Sequence, residues 1–363
     1  MARNTGGDGL SRLQRGLTGE RTLAGEPYMN DAGMLAAYAE YYHPVSLAQT
    51  ERVLRALKPA FPRGFPRLVD FGTGSGAVAE AFVRGGTRSA FLVDRSEPAL
   101  ERAASRISSL SGGVETRTLR RDLTLLSGGE GGAASAFPPE LSGWADCASF
   151  GHALNELWED RDDRAELRAA VVESVRPLLA PSGAILVMEP ALTRTSRDLL
   201  ALRDILVSRG WRVVAPCPGR SRLSCPAYSA GPAHTCHEAI PWDAPPAVAR
   251  RAAEMGLEKD ALKMAWFAFV PPDSAEPAAT ERYDGAVRVV SEPMLNKGGR
   301  IRRLVCGANG RFPLSAKSGD PYAESSGFAS LRRGDLIRVS APEIREGGWG
   351  VSIDTSIEFV FRN

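Results

Sequence analysis

The sequence lacks the features that would place it in a membrane or in an oxidising compartment. No stretch of its 363 residues approaches the run of about 18 apolar residues that spans a bilayer, so we expect no membrane partner. Residues 1–25 contain no continuous apolar core of a secretory signal, and we expect no export by that route. The 5 cysteines therefore argue against a disulfide framework, which leaves metal binding or simple burial as their roles.

An excess of charge of either sign is also absent. The chain has 45 Lys and Arg against 43 Asp and Glu, and this balance says little about its partners. Its length and its hydrophobic content of 43% are enough for one large core and a smaller one. We therefore expect two domains.

Two segments are predicted before the main domain, which starts at residue 67. Residues 1–25 are expected to form a disordered tail, with a mitochondrial presequence as the alternative that their Arg content fits, and 26–66 a helical lead-in. Within the lead-in, Ala36–Leu57 has apolar residues at helical spacing, broken near Pro44.

Strands and helices alternate along residues 67–270, which predicts a parallel sheet covered by helices on both faces. Trp211–Pro216 and Met264–Val270 would form the closing antiparallel hairpin, so that 217–263 is an insertion within it. Residues 127–139 are rich in Gly, Ala, Ser and Pro and indicate a surface loop. The predicted elements before the hairpin are Arg67–Asp70, Ala77–Val83, Ala90–Asp94, Glu97–Leu110, Val114–Leu119, Trp144–Phe150, Asp163–Arg176, Ala184–Glu189 and Ser196–Ser208.

The remaining part of the chain is predicted to be a separate small domain. Residues 271–284 are rich in Pro, Ala and Glu and indicate a linker. Short β-like runs follow in 285–363, at Ala286–Val290, Ile301–Cys306 and Leu336–Val339, and indicate a small β domain.

A glycine-rich turn follows the first predicted strand. Gly72, Gly74 and Gly76 come directly after Asp70, and glycines there let the backbone approach a bound nucleoside and adopt turns closed to other residues. The Asp70 carboxylate can accept a hydrogen bond from an amino group of the ligand, directly or through water. A dinucleotide-binding loop is the competing interpretation, but its third glycine lies three residues after the second, where this chain has Ala77.

Acidic residues follow the next two predicted strands. Asp94 ends the second strand, where a carboxylate can hold both ribose hydroxyls, and Asp122 follows the third, where an adenine edge is usually read. Each could instead cap a helix or serve as a turn residue. Together with the glycine loop, they predict an S-adenosylmethionine site in an α/β class I S-adenosylmethionine-dependent methyltransferase (Rossmann-like) fold, with a Cys-rich insertion and a small C-terminal β domain.

Polar residues also follow the fourth predicted strand, at His152, Asn155 and Glu156. Catalytic groups of this fold class lie at the carboxyl ends of strands, so these three are the catalytic candidates. Alternatively, Asn155 and Glu156 begin a helix and His152 makes a structural hydrogen bond. The Asn-Pro-Pro-Tyr tetrapeptide used by amino-group methyltransferases is missing, so the catalytic residues stay unassigned.

Four cysteines stand out from the ordinary pattern of buried free thiols, which Cys147 in the fourth strand fits. Three of them crowd into a Pro-, Gly- and Ser-rich part of the insertion with little core of its own, and one lies in the β domain: Cys217, Cys225, Cys236 and Cys306. A metal centre would stabilise such a loop. Four thiolates can hold zinc or an iron-sulfur cluster, and His234 and His237 keep a Cys/His zinc site open.

Several motifs occur in a specific order across most of the chain: Ala37–Pro44, Val69–Gly76, His152–Leu157, Met188–Pro190, Ala215–Pro218, Cys225-Pro226, Cys236-His237, Val305-Cys306 and Ala316–Ser318. In this order they resemble the methyltransferase-like assembly factors of the mitochondrial small ribosomal subunit and their bacterial relatives. The resemblance implies an S-adenosylmethionine-type fold, a role on the small ribosomal subunit or its rRNA, and a [4Fe-4S] cluster. It places the cluster ligands on Cys217, Cys225, Cys236 and Cys306.

The resemblance leaves two functions open, an assembly or translation factor and an active rRNA methyltransferase. A small-molecule methyltransferase with a structural zinc site and no ribosomal partner is the alternative. No DNA partner is expected. We expect a cytoplasmic protein if the chain is bacterial, which is the favoured case, and a mitochondrial matrix protein if it is eukaryotic.

Basic residues in the β domain fit an RNA partner. Residues 285–363 contain 12 Lys or Arg against 8 Asp or Glu. A solvated surface is the simpler interpretation of such a cluster, and the family resemblance is what raises RNA binding above it. The candidate phosphate contacts are Arg300, Arg302, Arg303, Arg311 and Lys317.

Overall fold

The computed structural model of the chain describes residues 5–110, 113–127, 137–218, 223–275, 277 and 280–363. The predicted loop 127–139 lies mostly outside these residues, as does part of the predicted linker. The helices are α1 (Thr5–Gln14), α2 (Ala32–Leu57), α3 (Ala77–Arg84), α4 (Glu97–Leu110), α5 (Arg164–Ser174), α6 (Thr193–Ser208), α7 (Pro226–Ser229), α8 (Pro246–Glu254) and α9 (Pro321–Ser325).

Sixteen strands form two sheets in the described residues. The first sheet contains β1 (Arg67–Phe71), β2 (Ser89–Asp94), β3 (Glu115–Arg120), β4 (Ala145–Gly151), β5 (Leu179–Pro190), β6 (Arg212–Ala215), β7 (Glu238–Pro241) and β8 (Ala261–Val270). The second contains β9 (Val287–Val289), β10 (Met294–Leu295), β11 (Arg300–Gly307), β12 (Gly310–Lys317), β13 (Leu336–Ser340), β14 (Glu343–Arg345), β15 (Gly348–Gly350) and β16 (Ser356–Phe361).

The first sheet has the strand order β3-β2-β1-β4-β5-β8-β6. Strands β1 to β5 are parallel, whereas β8 runs antiparallel to both β5 and β6. This order, with one reversed strand next to the last edge, is that of class I methyltransferases, and the fold class is therefore confirmed. The insertion between β6 and β8 contributes β7, which pairs with the N-terminal part of β8.

Both faces of this sheet are covered because its central strands carry apolar residues at successive positions. Neighbouring residues of a strand point to opposite faces. Leu68 of β1 belongs to the core that includes residues of α2, α3, α4 and α8, whereas Val69 belongs to the core that includes residues of α5 and α6. The carboxyl ends of β1, β2 and β4 consequently open at one edge, where the loops can form a site.

The N-terminal segment differs from the expected tail. Residues Thr5–Gln14 form α1, and Leu10, Leu13 and Leu17 are buried against the core that α2 completes. Their spacing of three and four residues places these leucines on one face of a helix. Such a short amphipathic helix is ordered by the surface it covers, which the local sequence does not reveal.

The helix α2 also differs from expectation, because it continues through Pro44 to Leu57. A proline removes one helical hydrogen bond, to the carbonyl four residues earlier, which here belongs to the exposed Glu40. Water can satisfy that carbonyl, while Tyr41 and Val45 are buried on the sheet and hold both halves in line.

The second sheet confirms the predicted β structure at the C-terminus. Its strand β9 lies between β11 and β13, and β12 pairs in parallel with β15. The helix α9 connects β12 to β13, so the connectivity resembles the Greek-key order of oligonucleotide-binding barrels. Val289, Val305, Leu314 and Ile337 form its separate core.

Polar contacts join the two sheets. Arg52 of α2 donates to Asn363 at the C-terminus, and Arg333 donates to the carbonyl of His237 at 2.9 Å. Arg288 of β9 forms a buried ion pair of 2.7 Å with Glu238 of β7. None of the described helices combines the length and the apolar character needed to cross a membrane.

Candidate functional site

A cavity opens at the carboxyl ends of β1, β2 and β4, and we call it the cofactor cavity. The loop residues Gly72, Thr73, Gly74 and Ser75 line it. Gly72 and Gly74 have φ values of 68° and 50°, in the left-handed region that favours glycine. A Cβ on Gly72 would lie 2.5 Å from the Cβ of Ala153, so a side chain at this position is excluded.

Gly76 serves a different purpose from the other two glycines. It precedes α3 with a φ of 84°, and a Cβ on it would lie 2.9 Å from that of Ala103 in α4. Gly76 is not part of the cavity wall. It allows α3 and α4 to pack closely behind the loop.

Asp94 lies at the tip of β2, faces the cofactor cavity and is 8% exposed. One carboxylate oxygen accepts from the amide of Gly74 at 2.8 Å, and the other from the amide of Ser96 at 2.9 Å. Burial raises the pKa of this carboxyl, while the two amides oppose that shift. Asp94 therefore both shapes the glycine loop and presents a carboxylate to the cavity.

Asp70 does not reach the cavity, contrary to the sequence-based expectation. It is 1% exposed, and its two oxygens accept from the hydroxyls of Ser149 at 2.6 Å and Thr73 at 2.7 Å. Burial raises its pKa to about 6. Thr73 belongs to the glycine loop and Ser149 to β4. By accepting from both, Asp70 fixes the start of the loop to β4.

Asp122 lies on the cavity wall as expected, but it also stabilises the turn after β3. One of its oxygens accepts from both the amide and the hydroxyl of Thr124, at 2.9 and 2.7 Å. Asp122 therefore both lines the cavity and acts as a turn residue, the two roles that the sequence had left open.

His152 follows β4 and lines the cofactor cavity. Its φ of 60° is unusual for a residue with a side chain. The Nε2 atom lies 2.9 Å from the Oε1 atom of Gln49, whereas Nδ1 is buried without a hydrogen-bond partner among the described residues. Burial lowers the pKa of His152 to about 4, so its imidazole is neutral.

Asn155 is not placed at the cofactor cavity. Its side-chain amide donates to Glu189 at 2.6 Å and to the His152 carbonyl at 2.9 Å, while its side-chain oxygen accepts from Arg21 at 2.8 Å. With every polar atom of its side chain in use, Asn155 is positioned to hold the His152 turn in shape.

Glu156 lines the cofactor cavity and accepts from the hydroxyl of Tyr28 at 2.9 Å. Burial raises the pKa of this carboxyl to about 7, which is opposed by the Tyr28 hydrogen bond and by Arg95 and Arg21. Glu156 is therefore the one catalytic candidate whose charge changes near neutral pH.

The cavity has a further wall that the sequence did not indicate. Residues Gly25–Met29 cover the glycine loop, and Arg95 at the end of β2 donates to the carbonyls of Gly25, at 2.6 Å, and Glu26. Tyr28 lies against Tyr38 of α2. No motif marks this segment, because its partners Tyr38, Arg95 and Glu156 are distant in sequence.

A second, smaller cavity lies between the insertion and the β domain, and we call it the thiol cavity. Its wall contains all four of the singled-out cysteines, which are Cys217, Cys225, Cys236 and Cys306. Among the described residues, no three His, Cys, Asp or Glu side chains are placed to hold a single metal ion. The fold nevertheless places Cys306 of β11 in the same cavity lining as the three cysteines of the insertion.

Arginines surround the thiol cavity. Arg203, Arg288 and Arg311 line it, and a guanidinium nitrogen of Arg288 lies 3.7 Å from the sulfur of Cys236. Nε of Arg288 and Nη1 of Arg311 are buried and have no partner among the described residues. Burial and the neighbouring cysteines raise the pKa of the Cys225 thiol to about 12.

The other sequence candidates lie away from the thiol cavity. Cys147 is fully buried in β4, in the apolar core. His237 contacts Thr235 and Arg333, and the carbonyl of His234 accepts from Arg197 at 2.9 Å. Neither histidine ring lines the cavity.

The basic residues of the β domain divide into two groups. Arg302 and Lys317 are exposed and Arg300 is half-buried, so they are available to a partner. Arg303 is only 8% exposed, and burial lowers its pKa. A phosphate contact by Arg303 is therefore not supported, because its guanidinium lies within the domain.

A family model described as mitochondrial small ribosomal subunit Rsm22 matches residues 33–323. The match includes the glycine loop, the turns after β2, β3 and β4 at the cofactor cavity, and all four cysteines of the thiol cavity. Comparison with curated protein sequences gave no significant match.

Solved methyltransferase structures are similar to the chain at low identity. An S-adenosylmethionine-dependent methyltransferase from Leishmania major is 14% identical, with a TM-score of 0.41 over 72% of this chain and 86% of that one. The N-methyltransferase NodS from Bradyrhizobium japonicum, with S-adenosylhomocysteine, is 13% identical, with a TM-score of 0.36 over 61% and 86%. Magnesium protoporphyrin IX methyltransferase from Synechocystis, with bound S-adenosylmethionine, is 15% identical, with a TM-score of 0.34 over 59% and 90%.

Proposed function

Since this chain belongs to the Rsm22 family of the mitochondrial small ribosomal subunit, we propose that it is an S-adenosylmethionine-binding, iron-sulfur protein that acts on the small ribosomal subunit. Its activity would be that of an assembly or translation factor that can methylate rRNA. The single observation that carries the cofactor part is the cavity in which Gly72 and Gly74 face Asp94 across the ends of β1 and β2.

The residues of the cofactor cavity fit S-adenosylmethionine. Gly72 and Gly74 would approach the nucleoside, Asp94 would accept from the ribose hydroxyls, and Asp122 lies where the adenine would be read. Glu156 is a carboxylate suited to the positively charged methionine end. When bound, S-adenosylmethionine supplies an electrophilic methyl group, and the protein would orient it and exclude water.

The residues of the thiol cavity fit an iron-sulfur cluster. Four thiolates are the usual ligand set of a [4Fe-4S] cluster, and the cavity lining has four cysteines. The unpartnered guanidinium nitrogens of Arg288 and Arg311 would find acceptors in the sulfurs of a negatively charged cluster. This observation supports the cluster independently of the family.

A single zinc ion is less well supported by the same residues. Zinc takes ligands at about 2.3 Å, which requires four sulfurs to converge on one point. The described cysteines line a cavity and are not placed around a single ion. We propose the cluster for this site, because its additional sulfurs would also accept from the buried nitrogens of Arg288 and Arg311.

The ribosomal part of the proposal rests on the family match and on the basic surface of the β domain. The family description names a mitochondrial ribosomal subunit, which supports the mitochondrial matrix for a eukaryotic chain, and we propose the cytoplasm for a bacterial one. Exposed Arg302 and Lys317 lie on the β11–β12 hairpin, whose counterpart in oligonucleotide-binding barrels faces nucleic acid.

A turnover assay tests the proposal. Labelled S-adenosylmethionine is incubated with the protein and isolated small ribosomal subunits, and the label in rRNA is measured together with co-sedimentation. Labelled rRNA would establish a methyltransferase, and co-sedimentation without label would establish an assembly factor. If the protein neither sediments with small subunits nor labels them, the ribosomal function is wrong, and a small-molecule methyltransferase takes its place.

A further inference from the structure

A second cavity adjoins the cofactor cavity and is not used by the function proposed above. Four residues line both spaces, namely Tyr38, Ser46, His152 and Glu156. The second cavity continues from this shared wall along α2 and towards β8. We call it the acceptor cavity.

We propose that the acceptor cavity binds a single unstacked nucleobase of RNA, with Nδ1 of His152 accepting a hydrogen bond from an N–H group of the base. This inference rests on the proposed function and deepens it, because it assigns the part of the RNA that enters the site and the cavity that receives it. Three independent features of the cavity support it.

The first feature is the protonation state of His152. The side-chain amide nitrogen of Gln49 donates to the carbonyl of Lys263 at 3.0 Å, which leaves Oε1 of Gln49 facing Nε2 of His152 at 2.9 Å. Because Oε1 can only accept, Nε2 must carry the imidazole proton. Nδ1 is therefore a bare acceptor, and it is buried without a partner in the described part of the chain.

A buried acceptor without a partner is costly, and such groups commonly mark places where a ligand completes the hydrogen bonding. The left-handed backbone of His152, with its φ of 60°, adds to the cost of this arrangement. The donor must reach the wall between the two cavities. An N–H group on a base held beside the methyl donor satisfies this requirement.

The second feature is a cluster of tyrosines on α2. Tyr38, Tyr41 and Tyr42 all line the acceptor cavity. The rings of Tyr38 and Tyr42 stack at 5.0 Å, and Tyr41 meets Tyr42 edge-on at 5.1 Å. Aromatic rings of this kind are the platforms on which proteins stack unpaired bases.

The third feature is positive charge in the lining of the cavity. Lys259 and Lys263 line it, and neither ammonium group has an ion pair or a hydrogen bond to any described residue. A base that enters the cavity brings its phosphates with it, and two unpaired lysines suit them. A protein substrate with an amide side chain would use the histidine but would leave these lysines without a role.

Nitrogen-15 spectra of the imidazoles provide a direct test, because the chain has only 4 histidines. The probes are hexacytidylate, hexaadenylate and hexauridylate, with a glutamine-containing acetylated peptide for comparison. Each is added with and without saturating S-adenosylhomocysteine, whose own binding is measured by calorimetry. We expect at least one RNA to shift the Nδ1 resonance of His152, as a new hydrogen bond would.

His43 is the internal control in the same spectra. Its two ring nitrogens are buried and already partnered, with Ser75 at 2.9 Å and Glu80 at 2.9 Å, so its resonances should not move when RNA is added at a fixed concentration of S-adenosylhomocysteine. If no RNA shifts His152 although S-adenosylhomocysteine binds, the inference is overturned and the cofactor site stands. A shift with the peptide alone would assign the cavity to a protein substrate. If RNA shifts His152 but S-adenosylhomocysteine does not bind, the cavity inference survives and the proposed cofactor function fails.

Two variants test the cavity through affinity. Tyr42 lines the acceptor cavity but not the cofactor cavity, so Tyr42→Leu should weaken binding of the responding RNA by about tenfold and leave S-adenosylhomocysteine binding unchanged. Tyr322→Leu, an exposed tyrosine of α9, is the matched control and should change neither. The double variant Lys259→Gln, Lys263→Gln should flatten the salt dependence of RNA binding. Unchanged affinity and an unchanged salt slope in both variants would refute the inference.

Discussion

The Asp94 carboxylate connects two parts of the cofactor cavity, because it accepts from the loop amide of Gly74 and also faces the cavity. A ribose bound there would add charge-assisted hydrogen bonds, each contributing about 1.5 to 3 kcal/mol. We expect Asp94→Asn, which retains the shape and loses the charge, to weaken S-adenosylhomocysteine binding at least about tenfold in calorimetry.

The control for Asp94→Asn is the same exchange at Asp163, which is exposed, does not line the cofactor cavity and precedes α5. Asp163→Asn should bind normally. Thermal melting of both variants separates lost binding from lost folding. Unchanged affinity in a folded Asp94→Asn protein would remove Asp94 from the cofactor site.

We expect Glu156 to make cofactor binding dependent on pH. Its pKa is raised by burial to about 7, so the carboxylate is mostly protonated at pH 6 and mostly ionised at pH 8. S-adenosylmethionine carries a sulfonium cation, and its affinity should rise roughly threefold to tenfold between these pH values as the negative charge appears. Glu156→Gln should abolish this rise.

S-adenosylhomocysteine provides the control for the charge argument, since it lacks the sulfonium cation. Its affinity should change less over the same pH range. If S-adenosylmethionine binding is equally tight at pH 6 and pH 8, Glu156 does not face the charged end of the ligand.

The residues of the two sites were predictable to different degrees. Gly72, Gly74 and Asp94 could be placed at the cavity because a strand-turn-helix pattern fixes where their backbone lies. Asp70 was misplaced, because whether a carboxyl turns inward depends on partners such as Ser149, which is distant in sequence. Arg303 was misplaced for the same reason.

At the scale of secondary-structure elements, the segment Gly25–Met29 acts as a cover for the cofactor cavity. Arg95 holds it through the carbonyls of Gly25 and Glu26. We expect Arg95→Met to speed the dissociation of S-adenosylhomocysteine, about tenfold in stopped-flow measurements, because two charged hydrogen bonds to the cover are lost. The association rate should change less.

Arg88 at the other end of β2 is the matched control for Arg95. It is exposed and does not line the cofactor cavity, so Arg88→Met should leave the dissociation rate unchanged. Equal rates in Arg95→Met and in the unmodified protein would show that the segment does not restrain the ligand.

Most strands and helices of the first sheet were predicted within a few residues, since their apolar runs are long and their turns are rich in glycine. The closing hairpin of β6 and β8 was also predicted, with its insertion, and the pairing confirms it. α1 was missed because its burial depends on the surface of α2, and Pro44 was taken as a break although tertiary packing keeps α2 continuous.

At the scale of the whole molecule, both domains contribute cysteines to the lining of the thiol cavity. Cys217, Cys225 and Cys236 belong to the insertion, whereas Cys306 belongs to β11 of the C-terminal sheet. Nothing in the local sequence requires Cys306 to behave like the other three. A cluster bound by all four would add a covalent link to the polar contacts that Arg288 and Arg333 already make.

This arrangement predicts that one distant cysteine controls both the metal content and the contact between the domains. Cys306→Ser should lose the brown colour and most of the iron of anaerobically purified protein, as should a serine at any of the other three positions. Cys147→Ser is the matched control, and it should keep its iron, because Cys147 lies in the core of the first sheet.

Loss of the cluster should also weaken the attachment of the β domain. The metal contributes to folding energy when its ligands come from two parts of a chain, so its removal should allow proteolysis between them, within residues 271–284. Rapid cleavage there in Cys306→Ser, and not in Cys147→Ser, would establish the link. If Cys306→Ser keeps full iron and sulfide while the insertion variants lose them, the fourth ligand lies elsewhere, and His234 and His237 become the candidates. Stoichiometric zinc without sulfide would replace the cluster with a zinc site that joins the same two domains.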